Sequence, residues 1–369
     1  MPIRLFLCGD VMIGRGIDQV LARSVDPQLL EPFVDSAETY VRLAERLNGP
    51  IPRAVPPTYP WGAALDDIGR LAPEVRIVNL ETAVTMSDEA WPHKDVLYRT
   101  HPANAAVLAA ARIDCAVLAN NHVLDWGYPG LRETLATVRD AGIATIGAGE
   151  DRAAAQAPSV FDVAGGRVIV VAFASTNSGV PAQWAPAADR PGVDLIDGWS
   201  RQVASEIADR LTPIRRAGDI VIASVHWGSN WGYEVPSDQR RLAHELIDLG
   251  GVDIVHGHSS HHPRPIEVYR DRLILYGCGD FITDYEGIRG YERFRDDLVL
   301  AYLPSHHVAT GRLEQLIMVP YQLRRFQLVR ASEVDTDWLC QTLDTHSRPL
   351  GTRVHVERDG TLMATPQTM

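Results

Sequence analysis

The fold class is decided by residues 252–262, which read Val252-Asp253-Ile254-Val255-His256-Gly257-His258-Ser259-Ser260-His261-His262. An apolar run ends here in a dense group of imidazoles, which holds four of the 13 histidines of the chain. A short run rich in Val and Ile is typical of a strand that is buried on both faces. Because α/β proteins bind ligands at the ends of such strands, this stretch predicts a buried strand that leads into a functional site.

Working outward, apolar runs end in acid, amide or imidazole residues at four further places: Gly9-Asp10, Asn79-Leu80-Glu81, Asn120-Asn121-His122 and His226-Trp227-Gly228. Strands that lie side by side bring such residues from distant sequence to one point. Carboxylates, amide oxygens and imidazoles are ligands of divalent metal ions. The recurrence therefore predicts a metal site, and with it an enzyme.

Each of these residues also has a simpler interpretation. Asp10 alone fits the N-cap of a following helix, and Glu81 alone fits a solvated loop residue. His226 ends a very apolar run and fits a buried histidine whose hydrogen bonds are satisfied within the core. The repetition of the pattern, rather than any one residue, favours function.

Composition excludes several classes of protein. The chain has 369 residues, of which 46% are hydrophobic and 22% charged, as in ordinary globular proteins. Its net charge of -12 disfavours nucleic acid and anionic membranes as partners. The N-terminal run lacks the features of a signal peptide, no apolar stretch is long enough to span a bilayer, and the four cysteines have no paired spacing. We therefore expect a cytoplasmic protein with reduced, mostly buried thiols.

Apolar runs alternate with amphipathic stretches, which predicts a layered α/β fold. Helices are expected over Leu131–Ala141, with Gly142 at its C-terminal end, over Trp199–Arg216, and over Ser237–Leu249, with Ser237 as its cap. The pattern weakens from about residue 311, so we expect a domain over 1–310 and an extension over 311–369 that packs on it. The expected strands are Ile3–Leu7, Val75–Leu80, Cys115–Ala119, Ala144–Ile146, Val168–Ala174, Ile220–Val225, Val252–Val255, Leu273–Tyr276 and Leu298–Leu303.

The order of the motifs resembles the CapA-like family, which is named for poly-γ-glutamate capsule synthesis and is similar to the calcineurin-like metallophosphoesterases. The resemblance covers residues 3–303, and residues 226–234 and 276–281 are similar to one soluble branch of the family. It implies a four-layer sandwich, in which two mixed β-sheets pack face to face between helices and the metal site lies at the strand ends. The motifs that carry it are Gly9–Met12, Asn79–Glu81, Asn120–His122 with Asp125–Gly127, His226–Gly228 and Gly257–His261.

Two departures from the phosphoesterase pattern affect one of its two metal positions. Met12 stands where that pattern has a histidine, and Ser260 stands where it has another, with His261 one residue late. The resemblance therefore implies one well-held divalent ion and a weak or absent second one. Mn²⁺, Mg²⁺, Ca²⁺ and Zn²⁺ all suit the surviving ligand types, and no organic cofactor is implied. The implied ligands are Asp10, Glu81, Asn121, His226 and His258.

Loss of one metal position weakens the phosphatase interpretation, because two-metal catalysis needs both ions. It leaves His122 and His261 free to transfer protons, and Asp10 and Asp280 free to take part or to orient the imidazoles. Some CapA-like proteins are similar to peptide epimerases of lasso-peptide pathways. We accordingly predict a metal-dependent peptide epimerase that inverts a Cα centre of a ribosomal, lasso-type peptide by acid/base proton transfer. The alternatives are a hydrolase of phosphoester or amide bonds and a non-catalytic subunit for poly-γ-glutamate assembly.

Three tryptophans lie within a few residues of the predicted site: Trp126, Trp227 and Trp231. They fit either core packing or the wall of a pocket for a bulky organic substrate.

Overall fold

The computed structural model describes residues 2–367, which form a mixed α/β fold with two large β-sheets. None of the helices in this range is long and apolar enough to cross a membrane. The four cysteines are free, and only Cys340 is not fully buried. The α-helices of the described range are Arg15–Val20, Glu38–Asn48, Ala64–Leu71, Ala106–Ala110, Gly127–Asp140, Arg152–Gln156, Arg201–Leu211, Ser237–Asp248 and Glu333–Ser347.

The ten-stranded sheet, here the large sheet, is built around Pro2–Val11. This strand runs parallel to Val75–Leu80 and antiparallel to Leu298–His307, so the sheet is mixed. Asp280–Ile282 pairs with the end of the first strand, and Gln327–Arg330 pairs with Leu313–Arg324. The strands are ordered Thr352–Val356, Leu362–Pro366, Leu313–Arg324, Leu298–His307, Pro2–Val11, Val75–Leu80, Cys115–Val117 and Ala144–Ile146.

The second sheet has seven strands, and its centre is Asp219–His226, which is parallel to both of its neighbours. Ser159–Val163 pairs with Gly166–Ser175 at one side. Across the sheet the strands are ordered Leu195–Ile196, Gly166–Ser175, Asp219–His226, Ile254–His258, Arg272–Leu275 and Ile266–Tyr269. Two short pairs complete the strands of the described range: Ala148–Gly149 with Gly192–Val193, and Ala83–Val84 with Arg99–Thr100.

Alternation along the central strand of the second sheet separates two cores. Ile220 and Ile222 join the core that also contains Leu5 and Leu7 of the large sheet. Val221, Ala223 and Val225 point to the other face, where the helices Arg201–Leu211 and Ser237–Asp248 supply Ile207, Leu242 and Leu246. Because side chains alternate with a period of two, Ser224 and His226 lie on the face that is turned to the large sheet. The inner core therefore leads directly to the end of the strand where His226 lies.

Several predicted elements match the structure closely. Val75–Leu80 and Ala144–Ile146 have the predicted bounds, and Gly142 follows the helix Gly127–Asp140 with a positive φ of 80°. The predicted cap is wrong, because the N-cap is Pro236 and Ser237 makes no capping hydrogen bond. Proline lacks a side-chain acceptor, so tertiary contacts rather than a cap determine where this helix begins.

The described part of the predicted extension 311–369 supplies strands of the large sheet and does not only pack on the domain. Leu313–Arg324 pairs with Leu298–His307 along nearly its whole length, and Leu362–Pro366 pairs with it in turn. The segment therefore extends the large sheet. The division at residue 310 into a domain and an extension stays a prediction.

Candidate metal centre

Strand register brings the predicted residues to one end of the two sheets. Asp10 is paired with Asp280 on one side and with Asn79 on the other. His226 is paired with His258 in the second sheet. Because these pairs lie at the ends of buried strands, their side chains meet where the two sheets face each other.

Two backbone features shape this end of the sheets. A Cβ on Gly9 would lie 1.6 Å from the carbonyl oxygen of Gly279, so only glycine permits the close approach of the two chains beside Asp10. Ser259 has a φ of 102°, a conformation that non-glycine residues rarely adopt. Strained backbone of this kind occurs at functional sites, and here it turns the chain between His258 and His261.

Asp10, His226 and His258 form a first group of donors, whose ligand atoms all lie within 4.8 Å of one another. The Nδ1 atoms of His226 and His258 are 2.8 Å apart, and the Nε2 atom of His226 lies 3.1 Å from Oδ1 of Asn121. The Oε1 atom of Glu81 is 3.9 Å from Nε2 of His226. The structure thus brings all five predicted ligands into one connected cluster.

Asp10, His261 and Asp280 form a second group with the same spacing, within 4.8 Å. His261 Nδ1 lies 2.9 Å from Oδ1 of Asp280. Asp10 belongs to both groups, so its carboxylate lies between them. His261, which lies one residue after the position of the histidine in the phosphoesterase pattern, therefore reaches the cluster. Ser260, which occupies that position, donates its hydroxyl to the carbonyl of His262.

Burial dominates the electrostatics of the carboxyl groups. It raises the pKa of Asp10 to about 6, with a further contribution from Asp280, against the hydrogen bonds of Glu81 and Asn79. Burial and the neighbouring Asp10 raise the pKa of Glu81 well above its ordinary value. The Oδ2 atoms of Asp10 and Asp280 are buried without a hydrogen-bond partner among residues 2–367. Three buried carboxyl groups, two of which have an unsatisfied oxygen, fit a divalent cation, which would compensate their charge.

The surroundings of the imidazoles shift their pKa values in different directions. Burial lowers the pKa of His226 and His258 far below the ordinary value, so both rings are neutral at pH 7, the form that binds metal. Burial also disfavours the charged form of His261, but the Asp280 carboxylate more than offsets it and the pKa of His261 is raised. His261 therefore holds a proton more readily than the other rings of the cluster.

His122 lies beside the cluster and is held by residues outside the five motif endings. Its Nδ1 atom is 2.6 Å from Oδ2 of Asp125, and its Nε2 atom is 3.9 Å from Oε1 of Glu81. Burial, and then the charge of Lys94, lowers the pKa of His122 to about 4. A carboxylate at Nδ1 selects the tautomer that carries its proton there, which leaves Nε2 as a free acceptor facing Glu81.

Lys94 is a residue of the candidate site that the sequence analysis did not single out. Its ammonium group lies 2.5 Å from Oδ1 of Asp125 and 3.0 Å from Nδ1 of His122. Lys94 is the only lysine of the chain, and the other cationic side chains are arginines and histidines. This unusual composition could have identified Lys94 from the sequence. Lys94 and His122 both contact the Asp125 carboxylate, and this carboxylate holds the ring of His122 in its orientation.

The three tryptophans have different surroundings. Trp227 is fully buried, donates through Nε1 to the carbonyl of Tyr276 and belongs to the outer core. Trp126 is nearly buried and packs with Ala83 and Leu97. Only Trp231 is half-exposed beside the histidines, at 5.4 Å between its ring centroid and that of His261. Trp126 and Trp227 thus have core packing, and Trp231 is the one placed to contact a ligand.

Comparison of the sequence with known proteins identifies one family. A family model described as "Bacterial capsule synthesis protein PGA_cap" matches residues 4–285. A "Probable polyglutamine synthesis accessory protein" of Mycobacterium tuberculosis is 48% identical over 366 residues, which are 99% of this chain and 96% of that protein. "PGA biosynthesis protein CapA" of Bacillus subtilis is 28% identical over 64% of this chain and 59% of its own length. A solved structure of a hypothetical protein from Thermus thermophilus covers 87% of this chain and 99% of its own, at 15% identity and a TM-score of 0.46.

Proposed function

The chain belongs to the family of bacterial capsule synthesis proteins PGA_cap, and from that premise we propose that it is a metal-dependent accessory enzyme in the synthesis of a glutamyl polymer. The names of relatives that align over nearly the whole chain support the process. The cluster of buried carboxylates and imidazoles supports the catalysis. Buried carboxyl oxygens without a hydrogen-bond partner are rare in proteins and are unexpected in a region that serves only the stability of the fold. We also propose that the helices outside the two sheets complete a four-layer sandwich.

In this proposal Asp10, His226 and His258 hold the cation, with Glu81 and Asn121 beside them. When bound, the ion neutralises negative charge that develops on a carbonyl oxygen of the substrate. The protein supplies a dry site and a fixed set of donors. His261 and Asp280 lie on the other side of Asp10, where they either share a second cation or hold a proton.

One observation carries the reaction class, namely that two imidazoles beside the cluster have pKa values displaced in opposite directions. The pKa of His122 is lowered to about 4, and the pKa of His261 is raised. Groups separated in this way divide the roles of proton acceptor and proton donor. His122 accepts a proton at Nε2, and His261 delivers one.

The reaction we propose is inversion at the Cα atom of a glutamyl residue in an amide-linked substrate. His122 removes the α-proton, and His261 returns a proton to the opposite face. The test is incubation of purified protein with a γ-glutamyl oligomer in D₂O, with Cα exchange followed by mass spectrometry and NMR. Exchange together with inversion supports the proposal, and the absence of both in metal-loaded protein contradicts it.

Hydrolysis of the amide bond is the second candidate, and the position of Asp10 in both donor groups favours it. Two cations held with the help of Asp10 would activate the attacking water and polarise the amide carbonyl, and the amine would leave as it takes up a proton. Release of free amine without Cα exchange would identify this reaction. Neither product, combined with loss of polymer in cells that lack the protein, would identify a non-catalytic assembly role.

We expect hydrolysis of simple aryl phosphates to be weak or absent. Met12 is buried with a side chain that is a poor metal ligand, and the hydroxyl of Ser260 is turned away to the carbonyl of His262. The check is a turnover assay with Mn²⁺, Mg²⁺, Ca²⁺ and Zn²⁺ in separate reactions. A kcat of roughly 1–10³ per second, the ordinary range of enzymes, would instead make this protein a phosphoesterase.

Metal affinity is expected to rise with pH between about 5 and 7. Below about pH 6 Asp10 holds a proton that the cation must displace, and the raised pKa of Glu81 adds to this competition. His226 and His258 are neutral throughout this window and do not compete. Isothermal titration calorimetry should show that each unit by which the pH is lowered reduces the affinity about tenfold for every proton that the cation displaces. An affinity that is constant from pH 5 to 7 would remove Asp10 and Glu81 from the ligand set.

A further inference from the structure

A second unusual feature lies beside the metal centre, in the buried side chains of Arg264 and Gln239. Arg264 is only 2% exposed, and Gln239 is fully buried. The Nε and Nη1 atoms of Arg264 and both polar atoms of the Gln239 amide have no hydrogen-bond partner among residues 2–367. Buried polar groups are nearly always paired, so several unpaired atoms near one another require an explanation.

These atoms face a common point. A Cβ on Gly228 would lie 3.0 Å from Nη1 of Arg264 and 3.4 Å from Nε2 of Gln239. The first distance is tighter than most real Cβ contacts, so glycine at position 228 lets the Arg264 guanidinium and the Gln239 amide approach the backbone beside His226. Gly228 follows His226 by two residues, which limits the distance between their Cα atoms to about 7 Å. Arg264 follows His261 by three residues, so the pair adjoins the catalytic cluster.

Among residues 2–367, no acidic side chain forms an ion pair with Arg264. Within residues 2–367, the guanidinium of Arg264 donates one hydrogen bond, to the backbone carbonyl of Glu234. The only acidic group of this range that acts on its pKa is the phenol of Tyr276. Burial lowers the pKa of Arg264 to about 10, so the guanidinium is still charged at neutral pH. A buried cation without a counter-ion is costly, and a water molecule would satisfy hydrogen bonds without compensating the charge.

The geometry of the donors matches an anion with two oxygens. A guanidinium presents parallel N–H groups that suit the two oxygens of a carboxylate, and the amide of Gln239 adds another donor. Gln239 lies in the first turn of the helix Ser237–Asp248, where the positive end of the helix dipole also favours an anion. We propose that Arg264 and Gln239 form a subsite that binds the free carboxylate of a γ-linked glutamyl substrate beside the metal centre.

This subsite deepens the proposed function and rests on it for the identity of the substrate. Residues 229–235 are exposed or half-exposed, and the backbone carbonyl of Glu234 in this segment contacts Arg264. A carboxylate that enters displaces this carbonyl from the guanidinium. Recognition of a charge next to the reacting amide would select glutamyl residues over neutral ones, because a neutral group leaves Arg264 uncompensated.

The test is binding of glutarate to chelator-treated protein, measured by calorimetry and by thermal unfolding, with glutaramide as the uncharged analogue. Gln239→Glu places a carboxylate of the same shape beside Arg264 and should raise the Tm. It should also weaken glutarate binding at least about tenfold, because the variant supplies its own anion. Gln202→Glu makes the same charge change on the exposed face of the helix Arg201–Leu211 and should bind glutarate as the natural protein does.

The expected result is that glutarate binds, glutaramide does not, and only Gln239→Glu reduces the binding. Equal glutarate affinity in the two variants would overturn the subsite. A rise in Tm with sodium chloride as large as that with glutarate would also overturn it, since the pair would then be a structural site for any small anion. Cα exchange that persists without glutarate binding would refute the subsite alone, and glutarate binding without exchange or cleavage would refute the proposed catalysis alone.

Discussion

Asp10→Asn is expected to abolish tight metal binding. The natural protein should retain about one ion per chain, and the variant should bind the same ion more than about 100-fold more weakly. Loss of a residue that only supports a metal ligand typically lowers the affinity by about 10–100-fold, so a larger loss identifies Asp10 as a ligand. Asp10 is the one carboxylate common to both donor groups, so its charge cannot be replaced by a neighbour. Metal content by elemental analysis and affinity by titration check this.

The same change should leave the fold intact. Asparagine retains the oxygen that accepts the hydrogen bond of Asn79, and it removes one of three neighbouring buried negative charges. The metal-free variant should therefore unfold at a temperature no lower than the metal-free natural protein. Asp253→Asn is the matched control, since burial also raises the pKa of Asp253 to about 6, but its partner is Arg272 at the opposite end of the strands. Full metal content in Asp10→Asn would exclude the cluster as the metal centre.

His122→Ala is expected to reduce turnover by about 10²–10⁴-fold, the usual contribution of a positioned acid or base. Metal content should stay near that of the natural protein, because the nearest contact of His122 with the cluster is 3.9 Å, to Glu81. If His122 removes the α-proton, deuterium exchange at Cα is lost as well. If it only returns the proton, some exchange remains. Measurement of both rates on the same substrate separates these roles.

Two further variants make this result specific. Asp125→Asn should lower turnover while leaving the imidazole in place, because the ring loses the carboxylate that orients it at 2.6 Å. His244→Ala removes another half-buried histidine that pairs with a carboxylate, Glu267 at 3.1 Å, on the outer side of the second sheet, and should have little effect. Near-normal turnover in His122→Ala would leave the proposed proton transfer without its base.

Much of this site was readable in the sequence. The apolar runs that end at Asp10, Glu81, Asn121 and His226 are local signals, since a buried strand needs a continuous apolar stretch and a polar residue marks its end. The bounds of Val75–Leu80 agree for this reason. The family resemblance added the order of the motifs, and the match over residues 4–285 agrees with it.

The sequence by itself determined the strand ends, their ligand types and the family. Only the tertiary structure decided which side chains share a space, because strand register and close backbone contacts depend on pairing between distant segments. The contact of Gly9 with Gly279 carries Asp280 to Asp10, and the positive φ of Ser259 brings a displaced His261 into the cluster. The two unpaired nitrogens of the buried Arg264 guanidinium could not be predicted from the sequence either, because burial and hydrogen-bond partners among residues 2–367 depend on the packing of the chain.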